Sequence, residues 1–464
     1  MTSTLHRRWR KYATSNGADA LPWIEKIRSE LHEGSVDPFT FSEQTAIPVA
    51  FHYLSQPVSS IQSLKALERS AVDAVVCAHA SIDLLLRILS RNTLSSKTSL
   101  VSRTVLSRIR PEWTRIWNWL SFFLETYPTF SSHDVFPQTP LPSEAYTSAV
   151  SVTVVLCYNV HAAEVSEEIP PLLQLLVRLW QRGPVFSEPD YRRIRLAMHS
   201  FLITKNTSVL FISMLCSAIK DRGAEAAKLL LTNIGESSKF ALETGEYGFL
   251  EPDLILFDML AAESKDTGVA VRPLFSDLLQ HNSVEFICGL LYKFSTTVSI
   301  SSEFATKGSM PLSVLQLLLR HIVCVLVVRG RPYVAITIRH RFFQSAIRYG
   351  ALLAQAANRF ASAEYRARIE KADGMFLSIV MKMRSYSCFY SIVKEAGRQM
   401  RHIARRPIYQ ELLGRSSVHV REAWFTFSNA MENSNRQRAI HDEASYVCAY
   451  QDVSLFLCFG IHWS

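Results

Sequence analysis

The segment Pro111-Glu-Trp-Thr-Arg-Ile-Trp-Asn-Trp-Leu-Ser-Phe-Phe-Leu-Glu-Thr-Tyr127 decides the fold class. Its large apolar residues Trp113, Ile116, Trp117, Leu120, Phe123, Leu124 and Tyr127 recur at steps of three and four, which gathers them on one side of an α-helix. Pro111 suits the first turn, where a missing N–H leaves no intrahelical bond unmade, and Pro128 stops the run. Such an aromatic stripe reads as core packing rather than as a ligand groove, because it supplies the buried area that a helix needs.

The same punctuation recurs outward in both directions. Ser70 to Leu89 carries an apolar face wider than a surface helix requires, Pro170 and Pro189 open further helices, and Gly235 is expected to close the helix that begins at Ala224. Towards the C-terminus the spacing predicts helices over 312–328, 334–359, 363–383, 387–405, 408–413 and 417–442. Pro48 is expected to interrupt a helix over 41–54, and the β-branched run Val152 to Tyr158 admits a strand as well as a helix. With 464 residues, 48% of them hydrophobic, and only 16 glycines and 18 prolines, the chain can bury a large core and lacks the turn residues of a β architecture. The expectation is an all-α protein: an α-solenoid-like, irregular armadillo- or HEAT-like array, with an irregular multi-helix globule as the alternative.

Composition along the chain divides it into an N-terminal helical region (1–132), a proline-rich linker (133–143), a central helical region (144–294), a Ser/Thr-rich linker (295–310), a basic C-terminal helical region (311–446) and an apolar tail (447–464). Arg7, Arg8, Arg10 and Lys11 precede any acid; they read as a solvated, frayed terminus, with a mitochondrial presequence as the alternative. The longest apolar run, Leu312 to Val328, has Arg320 and His321 at its centre and reads as a core helix, so no membrane span is expected. The eight cysteines are dispersed without a C-x-x-C pair, which suits buried thiols in a reducing compartment, cytoplasmic or nuclear.

Little in the chain specifies a reaction. The phosphate-cradling, dinucleotide, nucleophile-elbow and zinc-protease signatures are absent, Glu167-Glu168 lies in a polar connection, and His79, His199 and His321 fall in apolar helices where packing explains them. No catalytic residue and no cofactor is assigned, and an enzyme is retained only as a helical protein with its site assembled from distant residues.

Charge is more informative. From Arg320 to Ile440 there are 21 Lys and Arg against 7 Asp and Glu, whereas the whole chain has 50 against 41. Within 387–405, Phe389, Ile392, Val393, Ala396, Met400 and Ile403 project to one side, while Lys394, Arg398, Arg401 and Arg405 project to the other, and Arg406 continues the row. This basic ridge would hold an acidic partner segment or nucleic-acid phosphates; the plain alternative is a solvated outer face. No aromatic residue interleaves with the arginines, which disfavours readout of single strands.

The last helix carries a packing stripe of Val420, Trp424, Phe427 and Met431, then a polar run from Glu432 to Glu443 expected to project away from the stack. The residues from Arg421-Glu422-Ala423-Trp424-Phe425 through Asn435-Arg436-Gln437 to Asp442-Glu443, Tyr446, Val447 and Cys448 resemble the lead-in to the zinc finger of fungal MYND-type proteins, which follow a long helical region with a charged helix and then the finger. The resemblance places Cys448 at the first zinc thiolate. It fails from Ala449 onward: Gln451 and Val453 stand where the second cysteine belongs, so the finger is expected to be truncated or altered. Cys448, Cys458 and His462 form a weak three-ligand candidate, and zinc is implied only by an intact finger. MYND fingers bind proteins, so the expected function is a non-enzymatic protein-interaction scaffold. Binding of nucleic acid or an acidic partner through the basic face is the second reading.

Overall fold

In a computed structural model, the structure describes residues 2–15, 18–33, 41, 45–55, 69–93, 107, 109–129, 139–163, 170–183, 185, 188–203, 213–219, 222–261, 274–297, 310–359 and 363–450. These residues are helical or connect helices, and no strand occurs among them. Val152–Tyr158 lies inside a helix, so its β-branched residues pack as helix core. The chain forms two compact units, Met1–Arg222 and Gly223–Ser464.

The N-terminal unit contains α1 (Thr2–Ala13), α2 (Leu21–Glu33), α3 (Ile47–Leu54), α4 (Arg69–Thr93), α5 (Trp113–Ser121), α6 (Pro142–Ala163), α7 (Pro170–Arg182) and α8 (Glu188–Ile203). Its centre is α6, packed on α4 and α8, and α4 also packs on α2 and α3. The deciding segment is helical as expected, but its course changes: α5 passes into a π-helical turn at Phe122–Thr126 and a 3-10 turn at Tyr127–Thr129. The wider turn brings Phe122, Phe123 and Tyr127 together beside Trp119, with ring centroids 5.3–5.7 Å apart. Each of these rings is buried, worth about 1.5–3 kcal/mol apiece. Arg182 closes the turn by donating to the Leu124 carbonyl at 2.9 Å, and Tyr127 donates its hydroxyl to Pro140 at 2.6 Å.

Three expectations change in this unit. The basic terminus is not a frayed strand of solvated residues: Trp9 and Ala13 are buried, Lys26 lies 4.9 Å over the Trp9 ring, and the Tyr53 hydroxyl donates to the Ala13 carbonyl at 2.7 Å. Arg7, Arg8, Arg10 and Lys11 occupy the outer face of that packed helix. Pro48 begins α3 instead of interrupting it, and Pro142, assigned to a linker, begins α6; both sit in a first turn, where no amide hydrogen is needed. Residues 130–138 of the expected linker lie outside the described residues.

The C-terminal unit contains α9 (Gly223–Thr244), α10 (Leu250–Ala261), α11 (Phe275–Gln280), α12 (Ser283–Thr297), α13 (Met310–Arg329), α14 (Arg331–Arg339), α15 (Phe342–Arg359), α16 (Ala363–Arg384), α17 (Tyr390–Ala404), α18 (Pro407–Arg415) and α19 (Val418–Tyr450). Neighbours here follow a rule of position. α10 packs on α13, α12 on α15, α13 on α16, α14 on α17, α15 on α18 and α16 on α19, so from α13 onward a described helix meets the third one along. Two cross-links agree: Gln316 donates to the Arg368 carbonyl and Gln399 to the Arg339 carbonyl, over 52 and 60 residues.

Gly235 does not stop a helix. α9 continues through it because the buried row Leu230, Ile234, Ser237, Ser238 and Ala241 keeps helical spacing on both sides; the helix ends at Gly245, whose φ of +74° suits a residue without a side chain. The helix expected over 334–359 is broken in two at His340-Arg341, with Arg341 at φ +66°. The last helix runs on to Tyr450, past Asp442, since no glycine or proline interrupts Val418–Tyr450. Its polar half does not simply project into water: Arg438 donates to the Cys388 carbonyl at 2.7 Å and lies 5.2 Å from the Tyr390 ring centroid. Residues 298–309 lie outside the described residues, and Ser295, assigned to that linker, belongs to α12. No helix among the described residues is long and apolar enough to cross a membrane.

Candidate functional site

The basic ridge is built by α17. Ile392, Val393, Ala396 and Ile403 are buried against α14 and α19, which leaves Lys394, Arg398, Arg401 and Arg405 on the opposite, exposed face; Arg406 follows in the turn before α18 and is also exposed. The expected sidedness therefore holds at these nine positions. Phe389 and Met400, expected in the packed row, are half-buried at its margins, and Phe389 supports the Arg331 guanidinium at 4.4 Å.

The acids near the ridge are paired. Glu395, 7% exposed, has its Oε2 3.8 Å from Arg339 Nε and 3.5 Å from Arg398 Nη1, and Glu411 pairs with Arg415 at 2.7 Å. Arg398 thus has a structural task in holding a buried carboxylate, whereas Arg401 and Arg405 project without an ion pair among the described residues. His402, on the same helix, is held below its ordinary pKa by desolvation first and then by the charges of Arg406 and Arg341. It stays neutral near pH 7 and does not add to the cationic field.

One aromatic residue stands in line with the ridge, contrary to the expectation of none: Tyr390 opens α17 four residues before Lys394, which puts both on the exposed face. Tyr390 is 65% exposed, and its ring lies 5.8 Å from Lys394 Nζ on one helix and 5.2 Å from the Arg438 guanidinium on another. Arg438 comes from α19, so the juxtaposition is tertiary and invisible to helical periodicity. A ring between two cations is a site of cation–π contact, not a bare stacking platform.

The other candidates disperse. Cys448 lies in α19, where side chains from residue 441 onward are not described, and Cys458 and His462 lie outside the described residues. No group of three or more His, Cys, Asp or Glu placed to hold a metal occurs among the described residues. Cys77, Cys157 and Cys288 are buried free thiols whose pKa burial pushes up, which makes them poor nucleophiles. His79 contacts Ser148 Oγ at 3.3 Å, and burial lowers its pKa. His321 sits between Ser283 Oγ, 3.2 Å from Nε2, and the Phe257 ring, deep in the core. His199 and Glu167-Glu168 have no described side chains. Comparison of the chain with family models and with curated proteins finds no match to either.

Proposed function

We propose that the chain is a non-enzymatic helical scaffold that docks an acidic polypeptide segment on the basic face of α17. The observation that carries this is the row Lys394, Arg398, Arg401, Arg405 and Arg406, exposed on one side of a helix whose other side is buried, with its nearest acid already paired. The packing of each helix from α13 onward on the third one along supports an armadillo-like reading, in which three-helix layers stack and present the middle helices, α14 and α17, side by side. The resemblance of Arg421 to Cys448 to the approach of a MYND finger supports the same class, since that finger is a protein-binding module. On this reading the protein works in the cytoplasm or nucleus.

An acidic polypeptide fits better than nucleic acid, because the exposed Tyr390 ring beside the ridge is already in cation–π contact with Lys394 and Arg438. The experiment measures fluorescence anisotropy of a labelled Glu/Ser peptide and of labelled duplex and single-stranded DNA against salt concentration. Reversing Arg401 and Arg405 to Glu is expected to weaken peptide binding on the order of tenfold or more at low salt, with an unchanged melting temperature. Retention of DNA but not peptide would move the assignment to nucleic acid; binding of neither would end it.

The zinc question has a separate test. Metal analysis of the purified chain is expected to find no stoichiometric zinc, because Cys448, Cys458 and His462 supply three ligands where a structural site needs four.

A further inference from the structure

The C-terminal unit holds a surface cavity of about 600 Å³ between the end of α12, the second half of α15 and α18. Among the described residues its charged lining is Arg348 and Arg415, with no carboxylate; Ser295, Gln355 and Asn358 add neutral polar groups, and Leu352 and Leu412 an apolar wall. Drug-sized and metabolite-sized ligands occupy spaces of this order.

Arg348 is the unusual member. Its guanidinium lies 5.4 Å from the Tyr409 ring centroid and 6.0 Å from that of Tyr292, and its Nε is buried with no hydrogen-bond partner among the described residues. Arg348 forms no ion pair among the described residues, so the charge it holds beside the two rings is left for an anion in the cavity that it lines. Arg415 is paired with Glu411, but both are well exposed, at 71% and 53%, so water already screens that bond and exchange for a ligand costs little. The Arg341 guanidinium, 4.7 Å from the Tyr292 ring centroid, adds positive charge nearby.

We propose that this cavity binds a small phosphate monoester. Two guanidinium groups match the charge of the dianion and its oxygens, and the planar fork of arginine bonds two of them at once. Leu352 and Leu412 take the apolar part of the ester, and Ser295, Gln355 and Asn358 meet its hydroxyl or carbonyl groups. The site is separate from the ridge of Lys394 to Arg406 and does not depend on what that ridge binds. The same headgroup chemistry occurs on soluble esters and on phospholipids, and the test distinguishes them.

Phenyl phosphate is titrated into the full chain by calorimetry, with sodium sulfate at matched ionic strength as the control. Vesicles of phosphatidylcholine with and without phosphatidic acid are tested by co-sedimentation. The expected result is saturable binding of phenyl phosphate that sulfate does not reproduce, weakened on the order of tenfold or more by Arg415→Ala and by Leu352→Trp and unaffected by Arg401→Glu/Arg405→Glu. Arg348→Lys keeps the charge between the two tyrosines and is expected to lose affinity through loss of the fork. Vesicle binding that requires phosphatidic acid, Arg415 and an open wall at Leu352 would assign the site to a lipid headgroup. Binding no stronger than that of sulfate together with no such vesicle binding, or affinity indifferent to Arg415→Ala and Leu352→Trp, overturns the proposal.

Discussion

Acidifying the protein from neutral pH to about pH 4 costs the C-terminal unit roughly 3 kcal/mol through His321, set against gains at the buried carboxylates, and His321→Gln abolishes that contribution. His321 is 2% exposed, and burial lowers its pKa from 6.5 to about 3. Its Nε2 meets Ser283 Oγ at 3.2 Å, its Nδ1 has no partner among the described residues, and the Phe257 ring lies 4.5 Å away, so nothing there welcomes a second proton. The unfolded chain binds that proton readily below pH 6.5, whereas the folded chain resists it until about pH 3. The stabilising effect of the neutral ring is therefore complete above pH 6.5 and is lost progressively as pH falls through that window. Asp258 works in the opposite sense. Burial raises its pKa, partly offset by Arg320 at 3.0 Å, so the folded state takes up its proton first and gains stability on acidification. Urea melts of the wild type and His321→Gln over this range separate the two: glutamine keeps a polar group near Ser283 without titrating there. Parallel pH curves for the two proteins would refute the assignment to His321.

The second large effect is expected at Gly350. A Cβ built there would lie 2.9 Å from both Cγ1 and Cγ2 of Val420 and 3.0 Å from its Cβ, closer than packed carbons come. Val420 is buried and β-branched, so it has no free rotamer into which to retreat. The approach is fixed by two further bonds between α15 and the start of α19: Ser417 N–H donates to the Gly350 carbonyl at 3.3 Å, and Ser416 Oγ donates to that of Ile347 at 3.1 Å. Gly350→Ala gains about 1 kcal/mol of helix propensity and loses more to overpacking, for a net cost of about 1–2 kcal/mol. Gly350→Leu should cost about 3 kcal/mol or more by forcing α19 away from α15. Pairing Gly350→Ala with Val420→Ala should recover at least about 1 kcal/mol relative to the sum of the singles. Strict additivity of the two in denaturant melts would mean that the contact is not the cause.

Helical periodicity carries most of the fold class and the whole of the ridge. Both depend on residues three or four apart on one helix, where the sequence and the structure share a coordinate. Ile392, Val393, Ala396 and Ile403 are buried and Lys394, Arg398, Arg401 and Arg405 exposed for that reason alone. What the sequence hides is what one helix does to another. Gly235 looks like a stop, but its missing Cβ faces the Phe286 ring, whose nearest atom would be 3.7 Å from it, and the surrounding row keeps the helix going. Arg341 breaks the long helix with no glycine or proline to announce it. The pairing of Glu395 with Arg339, the approach of Arg438 to Tyr390 and the cavity between Arg348 and Arg415 each join residues far apart in the chain. Cys448, where the family resemblance ends, and the three-ligand candidates Cys458 and His462 have side chains outside what the structure describes.

The packing of each helix from α13 onward on the third one along also has a consequence during synthesis. Hydrogen bonds that tie these helices and their flanking turns together span 50–69 residues, so a helix leaving the ribosome meets a surface that was completed two to four helices earlier. No part of the region from Met310 to the C-terminal helix must wait for a distant end of the chain before it can bury its apolar face. Assembly can proceed in the direction of translation, and at Gly350 the start of α19 closes over a helix already in place.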